Sequence, residues 1–550
     1  MKQASLRIVV IGLYSERYPA IGESHGVSLI AGAIATNLKF DIDSISVLDM
    51  VSIGKEEIEP IITLIDNENP HIICISVPYG AYDILYKLKC SIASYIDDNK
   101  KIILGGPLPT YLAEEILANI DPRLIIVIGE GDNAIVDIIN AFKNGEQLSN
   151  ISNLAYIAES KNIIYSKRVL VDKNTVPLPF RIHQQKMKET GAQIFVESSR
   201  GCSWASCSFC LRGATDIKGT PSEFRRFPID RLHKDFLELK RLDIDHVTFA
   251  DEDFLGGSDV DSFIQDLKYL YERNADIFPK FDISTTIHSI FRSGDSEHVK
   301  NNKINNLRLL KNIGLKKVFL GIESGNSSQL IRYNKCHTVE ESIIASKFII
   351  DLGIRLEIGF IMLDPLCNLS EVSENANFLL INELAQYVSM ATGELRLQKH
   401  SRYLKLIETE EIKQSRKLYE RNINFNTLEY RYIYADKNVE DLVKHVRSEN
   451  TRTYDFTYRV KYLTRFGDGS LLKDKTSIVR ALLGNYRYQT LSSLRNAAIH
   501  GVKFYAESAQ LAVSTLANEF IEHTSELSEN YHINCAINSA KDLLDKRSPQ

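Results

Sequence analysis

The feature that most constrains this chain is a pattern that occurs twice. Short β-branched runs alternate with segments of helical apolar spacing. The first series reads "LRIVVIGL", "GVSLIAGAIATNL", "IDSISVLDM", "EEIEPIITLID", "HIICISV", "YDILYKLKCSIASYI", "KIILGG", "TYLAEEILANI", "LIIVIGEG" and "NAIVDIINAF". Parallel strands need crossover helices, and strands buried on both faces read as near-continuous apolar runs. Residues 1–147 are therefore expected to form a doubly wound, Rossmann-like α/β domain. Such sheets take their ligands at the carboxyl ends of the strands.

A second series starts near Gln193. "QIFVESS" is followed by helix and strand in turn through "DHVTFADEDF", "PKFDISTTI", "KKVFLGIESG" and "RLEIGFIMLDP", with glycine stops after several helices. About six βα units over residues 189–400 are expected to close as a (β/α)6-type partial barrel. Between the two lies a stretch of different character, 148–188, read as a hairpin and linker with prolines and polar filler. Residues 401–550 read as a mainly helical third domain. Its basic-aromatic stretch, Tyr458–Arg465, is read as a helix or strand with alternating faces rather than as a nucleic-acid contact.

The chain is sparing with cysteine, yet three of its eight cysteines, Cys202, Cys207 and Cys210, fall within nine residues. They directly follow the first strand of the second series. The net charge of -5 gives no pull toward nucleic acid, and no apolar run approaches the length of a membrane span. The opening segment reads as a strand rather than a signal sequence, so a cytoplasmic protein with reduced thiols is expected. Clustered cysteines then point to metal or catalysis. A structural zinc wants four ligands, and no fourth follows at finger spacing. Three thiolates also suit an iron–sulfur cluster with one iron left open. Spacing alone leaves both readings standing. The remaining cysteines are read as structural, with Cys74 in a strand core, and the lone histidines His25, His288 and His337 likewise.

The C-x4-C-x2-C loop, with Phe209 before its last cysteine, resembles the cluster motif of the radical S-adenosylmethionine (SAM) enzymes. That resemblance implies a [4Fe–4S] cluster held by Cys202, Cys207 and Cys210, whose open iron binds SAM. The family spacing has one residue fewer between the first two cysteines. Further positions agree in order. "ADEDFLGG" makes Asp251 and Asp253 candidates for contacting the SAM amino group, "GIESG" does the same for Glu323, and Ser284 is a third candidate. "GFIMLDP" resembles the segment that lies near the adenine.

The first domain has no G-x-G-x-x-G after its first strand, which disfavours a dinucleotide. Its strand ends resemble the cobalamin-binding domain found ahead of many radical SAM cores. Where such domains carry D-x-H-x-x-G, this chain has Asp49, Val51 and Gly54. The resemblance thus implies cobalamin bound without a histidine ligand. Ser76, Val77, Pro78 and Tyr79 at the third strand end, Gly105 and Gly106 at the fourth, and Gly129, Glu130 and Gly131 at the fifth would contact it, with Tyr79 and Pro78 toward the cobalt.

Together the two halves resemble the cobalamin-dependent radical SAM enzymes. The resemblance implies methylation of an unactivated carbon of a natural-product or peptide substrate, with an external one-electron donor of flavodoxin or ferredoxin type. The alternative within the family is a rearrangement or cyclisation without methyl transfer. A non-enzymatic cobalamin module is disfavoured by the intact cysteine loop.

Overall fold

The computed structural model describes residues 6–17, 22–38, 42–97, 99–213 and 223–545. The outer limits expected for the first and last domains, 1 and 550, lie outside them.

The first sheet holds β1 (Leu6–Gly12), β2 (Ile42–Asp49), β3 (Ile72–Ser76), β4 (Lys101–Gly105) and β5 (Ile125–Val127), parallel and in the order β2-β1-β3-β4-β5. Ile8, Val9, Val10 and Ile11 are all buried, because helices cover both faces. The chain reverses direction across the sheet between β1 and β3, which opens a crevice at their carboxyl ends. The stretch 148–188 contains a hairpin, β6 (Leu154–Ile157) and β7 (Ile163–Tyr165). It joins the same sheet antiparallel at the β5 edge, so the sheet has seven strands.

The second sheet starts at β8 (Phe195–Val196). A two-stranded ribbon, β9 (Ser199–Arg200) with β10 (Arg225–Arg226), flanks the cysteine loop. Then follow β11 (His246–Phe249), β12 (Lys280–Thr285), β13 (Leu315–Glu323) and β14 (Arg355–Phe360), in the order β14-β13-β12-β11-β8 and all parallel. This makes five strands. The sixth position is taken by single bridges, Ile358 to Val388 and Leu363 to Glu394. The helices between strands start where the sequence offers caps. Thr338 with Glu341 and Asn368 with Glu371 form capping boxes.

Four long helices follow, Lys437–Arg465, Thr476–His500, Lys503–Thr524 and Tyr531–Asp545. Val460 and Leu463 turn the basic-aromatic stretch inward, onto a core shared with Phe520 and Ile533. Leu491 and Leu494 join the barrel core. Among the described residues no helix is long and apolar enough to cross a membrane.

The end of β4 shows how closely the crevice is built. Gly106 has φ +99, and a Cβ there would stand 3.1 Å from the Val77 carbonyl oxygen. Gly106→Ala is expected to destabilise the protein by about 1–3 kcal/mol, read as a lowered midpoint in thermal or urea denaturation.

Candidate active site

The carboxyl ends of the two sheets face one cavity of about 870 Å3. At one end it enters the first sheet as an apolar slot. Val10, Cys74, Ile103 and Val127 line the slot from the strands, and Ile30 and Ile135 from the helices His25–Asn37 and Asp132–Asn144. Ser76, Tyr79, Gly105, Gly106, Gly129, Glu130 and Gly131 form its rim, so these sequence candidates meet there.

Asp49, Gly54, Val77 and Pro78 do not line the cavity. Asp49 closes a turn instead, accepting from Ser24 N at 2.7 Å, Ser24 Oγ at 3.0 Å and Val51 N at 3.1 Å. Burial pushes its carboxyl up to about 6. Val51 packs into the barrel core. Val77 is buried, with its N–H donating to Gly105 O at 2.9 Å. The D-x-V-x-x-G frame thus serves the packing of the turn after β2.

The other end of the cavity is built by the cysteine loop and the ends of β11 and β13. Phe209, Cys210, Leu211 and Arg212 reach it, with Ala250, Glu252, Glu323 and Ile361. All three loop cysteines are free and half-buried. Burial pushes the Cys207 thiol up to about 12, with the neighbouring thiols of Cys210 and Cys202 adding to the effect and Lys335 opposing it. Buried thiols that hinder one another's ionisation become good ligands once a cationic centre is placed among them. Among the described residues, no three His, Cys, Asp or Glu side chains close into a single-ion site. Phe209 is held edge-on against Tyr333, ring centroids 5.6 Å apart.

The two aspartates picked from "ADEDF" are buried and away from the cavity. Asp251 accepts from Ser198 N at 2.9 Å and from the hydroxyls of Ser198 and Ser199 at 2.5 and 2.6 Å. Burial raises its carboxyl to about 6. Asp253 accepts from Thr285 Oγ1 at 2.7 Å, Thr286 N at 3.1 Å, Ser289 Oγ at 3.1 Å and Ser203 Oγ. Glu252, between them, is the carboxylate that lines the cavity, where it pairs with Arg212 and accepts from Gly201 N. Glu252 sits at a bend just past β11, and its side chain is turned away from those of its two neighbours. Ser284 is also off the cavity, and its carbonyl accepts from Phe254 N at 2.9 Å.

Glu323 does reach the cavity. It sits at φ +71, a costly conformation for a residue with a Cβ. Its partner is Lys335, whose Nζ lies 3.7 Å from Oε1 and whose side chain is only 8% exposed. Burial alone would lower the Lys335 pKa, but the Glu323 carboxylate and the nearby Cys207 thiol outweigh it and raise it. Sequence reasoning missed Lys335, because only the short helix Ser327–Arg332 brings it back over the strand end. Tyr79 and Tyr111 also line the cavity. Burial pushes the Tyr79 phenol up to about 12, and the Arg396 guanidinium lies 5.7 Å from its ring centroid. His288 and His337 stay outside it. His288 stands 3.7 Å from Glu341, and His337 meets the Ile322 carbonyl at 3.2 Å.

His25 stands on the cavity wall where the sheets meet, 3.8 Å from Glu23 and 3.9 Å from Glu197. These are charge contacts rather than hydrogen bonds. Burial alone would lower its pKa, but the two carboxylates raise it from 6.5 to about 9. A histidine whose folded pKa is raised contributes stability that is complete below its ordinary value and lost as pH rises through the folded value. The thermal midpoint of the wild type is therefore expected to fall more between pH 6.5 and 9 than that of His25→Gln, measured side by side.

Comparison with known proteins bears on this geometry. The radical SAM superfamily pattern matches residues 196–379. The 4'-phospho-dehydrooxetanocin synthase of Priestia megaterium is 28% identical over 368 residues, which take in 64% of this chain and 48% of that protein. The match thus spans about half the length of this curated relative. The structure of the cobalamin-dependent SAM radical enzyme OxsB, with aqua-cobalamin and SAM bound, superposes with a TM-score of 0.80 at 19% identity, over 99% of this chain and 84% of that one. The radical SAM methyltransferase TsrM from Kitasatospora setae, with cobalamin and a [4Fe-4S] cluster bound, superposes with a TM-score of 0.59 at 13% identity, over 74% of this chain and 76% of that one. Residues 196–379 thus match the radical SAM superfamily pattern, and the chain as a whole shares the fold of the cobalamin-dependent SAM radical enzyme OxsB.

Proposed function

We propose that this chain is a cobalamin-dependent radical SAM enzyme that remakes an unactivated carbon of a small phosphorylated substrate by rearrangement or ring closure. The observation that carries the class is the single cavity running from the apolar slot of the first sheet to Cys210 and Glu323. The finer reading rests on the 28% identical synthase, whose name carries a phospho group, and on Arg212 and Arg396 at the cavity wall. A second reading, C-methylation, is favoured by the methyltransferase TsrM, whose fold this chain shares over 74% of its length.

The residues present fit the three groups. Cys202, Cys207 and Cys210 would hold the cluster. Glu323 and Lys335, oppositely charged and 3.7 Å apart, would meet the amino and carboxylate groups of SAM. The slot lined by Val10, Cys74, Ile103 and Val127 would take the apolar tail of cobalamin, with Ser76 at its mouth. Bound together, these groups would supply the one-electron and hydrogen-atom chemistry. The protein's own part is alignment and exclusion of water. Phe209, Tyr79 and Tyr111 present aromatic surface toward the reacting space. Tyr79, with its phenol pushed up to about 12, stays protonated at working pH and contributes a hydrogen-bond donor rather than a charge. Lys335 stays an ammonium.

The test is anaerobic reconstitution with iron, sulfide and hydroxocobalamin, followed by methyl-labelled SAM. Replacing Cys202, Cys207 and Cys210 with Ala is expected to abolish iron binding and leave cobalamin binding intact. Failure of the wild type to bind cobalamin would overturn the reading of the first domain. Lys335→Met is expected to weaken SAM binding about ten-fold or more, the scale of a lost charge-assisted contact, with iron content unchanged. Label recovered in the product would establish methyl transfer. An unlabelled product isomeric with, or two hydrogens short of, its substrate would establish the rearranging chemistry.

A further inference from the structure

The cysteine loop has to hold three half-buried thiols in place, and its backbone shows how. Cys202 and Cys210 stand at its two ends. The middle of the loop is pinned to Asn334, whose carbonyl accepts from Trp204 Nε1 at 2.8 Å and whose Nδ2 donates to Ser206 O at 2.7 Å, while the contacts nearest the thiols lead to two different carboxylates.

Beside Cys202, the Ser203 hydroxyl donates to Asp253. Asp253 is fully buried. Its other donors all come from the end of β12 and the short helix after it, Ile287–Ile290: Thr285 Oγ1 at 2.7 Å, Thr286 N at 3.1 Å and Ser289 Oγ at 3.1 Å. The arm that carries Cys202 is therefore tied to the ends of β11 and β12.

The segment between Cys207 and Cys210 is gripped elsewhere. Ser208 N donates to Tyr333 O at 2.9 Å, Ser208 Oγ donates to Arg332 O at 2.9 Å, and Ser208 O accepts from Tyr403 N at 2.8 Å. The three residues that grip it send their side chains to one buried carboxylate. Asp364 accepts from Arg332 Nη2 at 2.7 Å, Tyr333 Oη at 2.8 Å and Tyr403 Oη at 2.5 Å, and also from Gln329 Nε2 at 2.8 Å. Asp364 follows β14, on the far side of the sheet from β11. Tyr403 opens the helix that follows the cavity-lining stretch Glu394–Gln398. Between the two arms Ala205 takes φ +42, the left-handed turn at which the loop changes direction.

From this division of contacts we infer that Asp253 and Asp364 are separate positioning residues for one loop, Asp253 setting Cys202 and Asp364 setting Cys207 and Cys210. The inference concerns the loop of the proposed cluster site but does not depend on what the loop binds. A carboxylate that several buried donors share cannot be replaced by an amide without leaving some of those donors unpaired, so each substitution loosens the arm it serves.

The test reads each thiol separately in the full-length, reduced, metal-free protein. Alkylation by iodoacetamide is followed by mass spectrometry at Cys202, Cys207 and Cys210, with far-UV circular dichroism and the thermal midpoint of each variant as the control for folding. Asp364→Asn is expected to speed alkylation of Cys207 and Cys210 about five-fold or more and leave Cys202 within about two-fold, the mark of local rather than global opening. Asp253→Asn is expected to give the reverse pattern. Tyr403→Phe removes one hydroxyl and keeps the charge. It carries the Asp364 half of the test, with a smaller rise at Cys207 and Cys210, should Asp364→Asn fail to fold, and Ser203→Ala carries the Asp253 half in the same way, with a smaller rise at Cys202. Equal acceleration at all three thiols, or no change at any, overturns the inference. Iron plays no part in this readout, so a wrong cluster assignment would leave its result standing.

Discussion

Everything at this site depends on charge buried at the seam between the two sheets. Arg200, in the ribbon just before the cysteine loop, meets Asp132 through two hydrogen bonds of 2.8 and 3.1 Å and meets Glu197 at 3.1 Å. Asp132 begins a helix of the first domain, and Glu197 directly follows the first strand of the barrel. Close by, Arg181 binds Asp235 at 2.8 and 2.9 Å and reaches Glu23 at 3.3 Å, and Glu23 also accepts from Phe195 N at 2.7 Å. Buried ion networks add little net stability, because desolvation offsets the attraction. They tolerate few alternative arrangements, however, since any slip leaves a charge unpaired. Here that selectivity orients the slot of one sheet toward the thiols of the other.

The two sheets were legible because each is covered on both faces. Strands such as Ile8–Ile11 and Ile72–Ile75 have no solvent side, so they read as unbroken apolar runs with a helix between each pair. The hairpin β6–β7 was legible as a hairpin. Its attachment to the first sheet was not, because an edge pairing is settled by long-range register rather than by local residue choice. The sixth barrel position is the least regular for a related reason. The stretch 388–394 bridges β14 at single points without the apolar run of a strand.

At the site, the sequence candidates that reach the cavity are Cys210 with Phe209 from the cysteine loop, the rim residues at the ends of β3, β4 and β5, and Glu323. Among the candidates that miss it, the aspartates have side chains directed by the bend after β11 and the turn after β2. Asp251 and Asp253 turn into hydroxyl clusters while Glu252 faces the cavity. Asp49 keeps the turn chemistry of its frame but spends its oxygens on Ser24 and Val51. Lys335 could not be found from spacing, since it is brought to Glu323 by tertiary folding alone.

The backbone at Glu323 has one more consequence. A left-handed conformation at a non-glycine residue costs on the order of 1–3 kcal/mol and persists only where the surroundings enforce it. At Glu323 that cost is met when the barrel folds, and it fixes the direction in which the Cα–Cβ bond leaves the strand end. The side chain therefore starts from a set origin on the cavity wall, with the Lys335 ammonium 3.7 Å from its carboxylate. Part of the ordering of this ion pair is thus completed by folding and is not left to a later event.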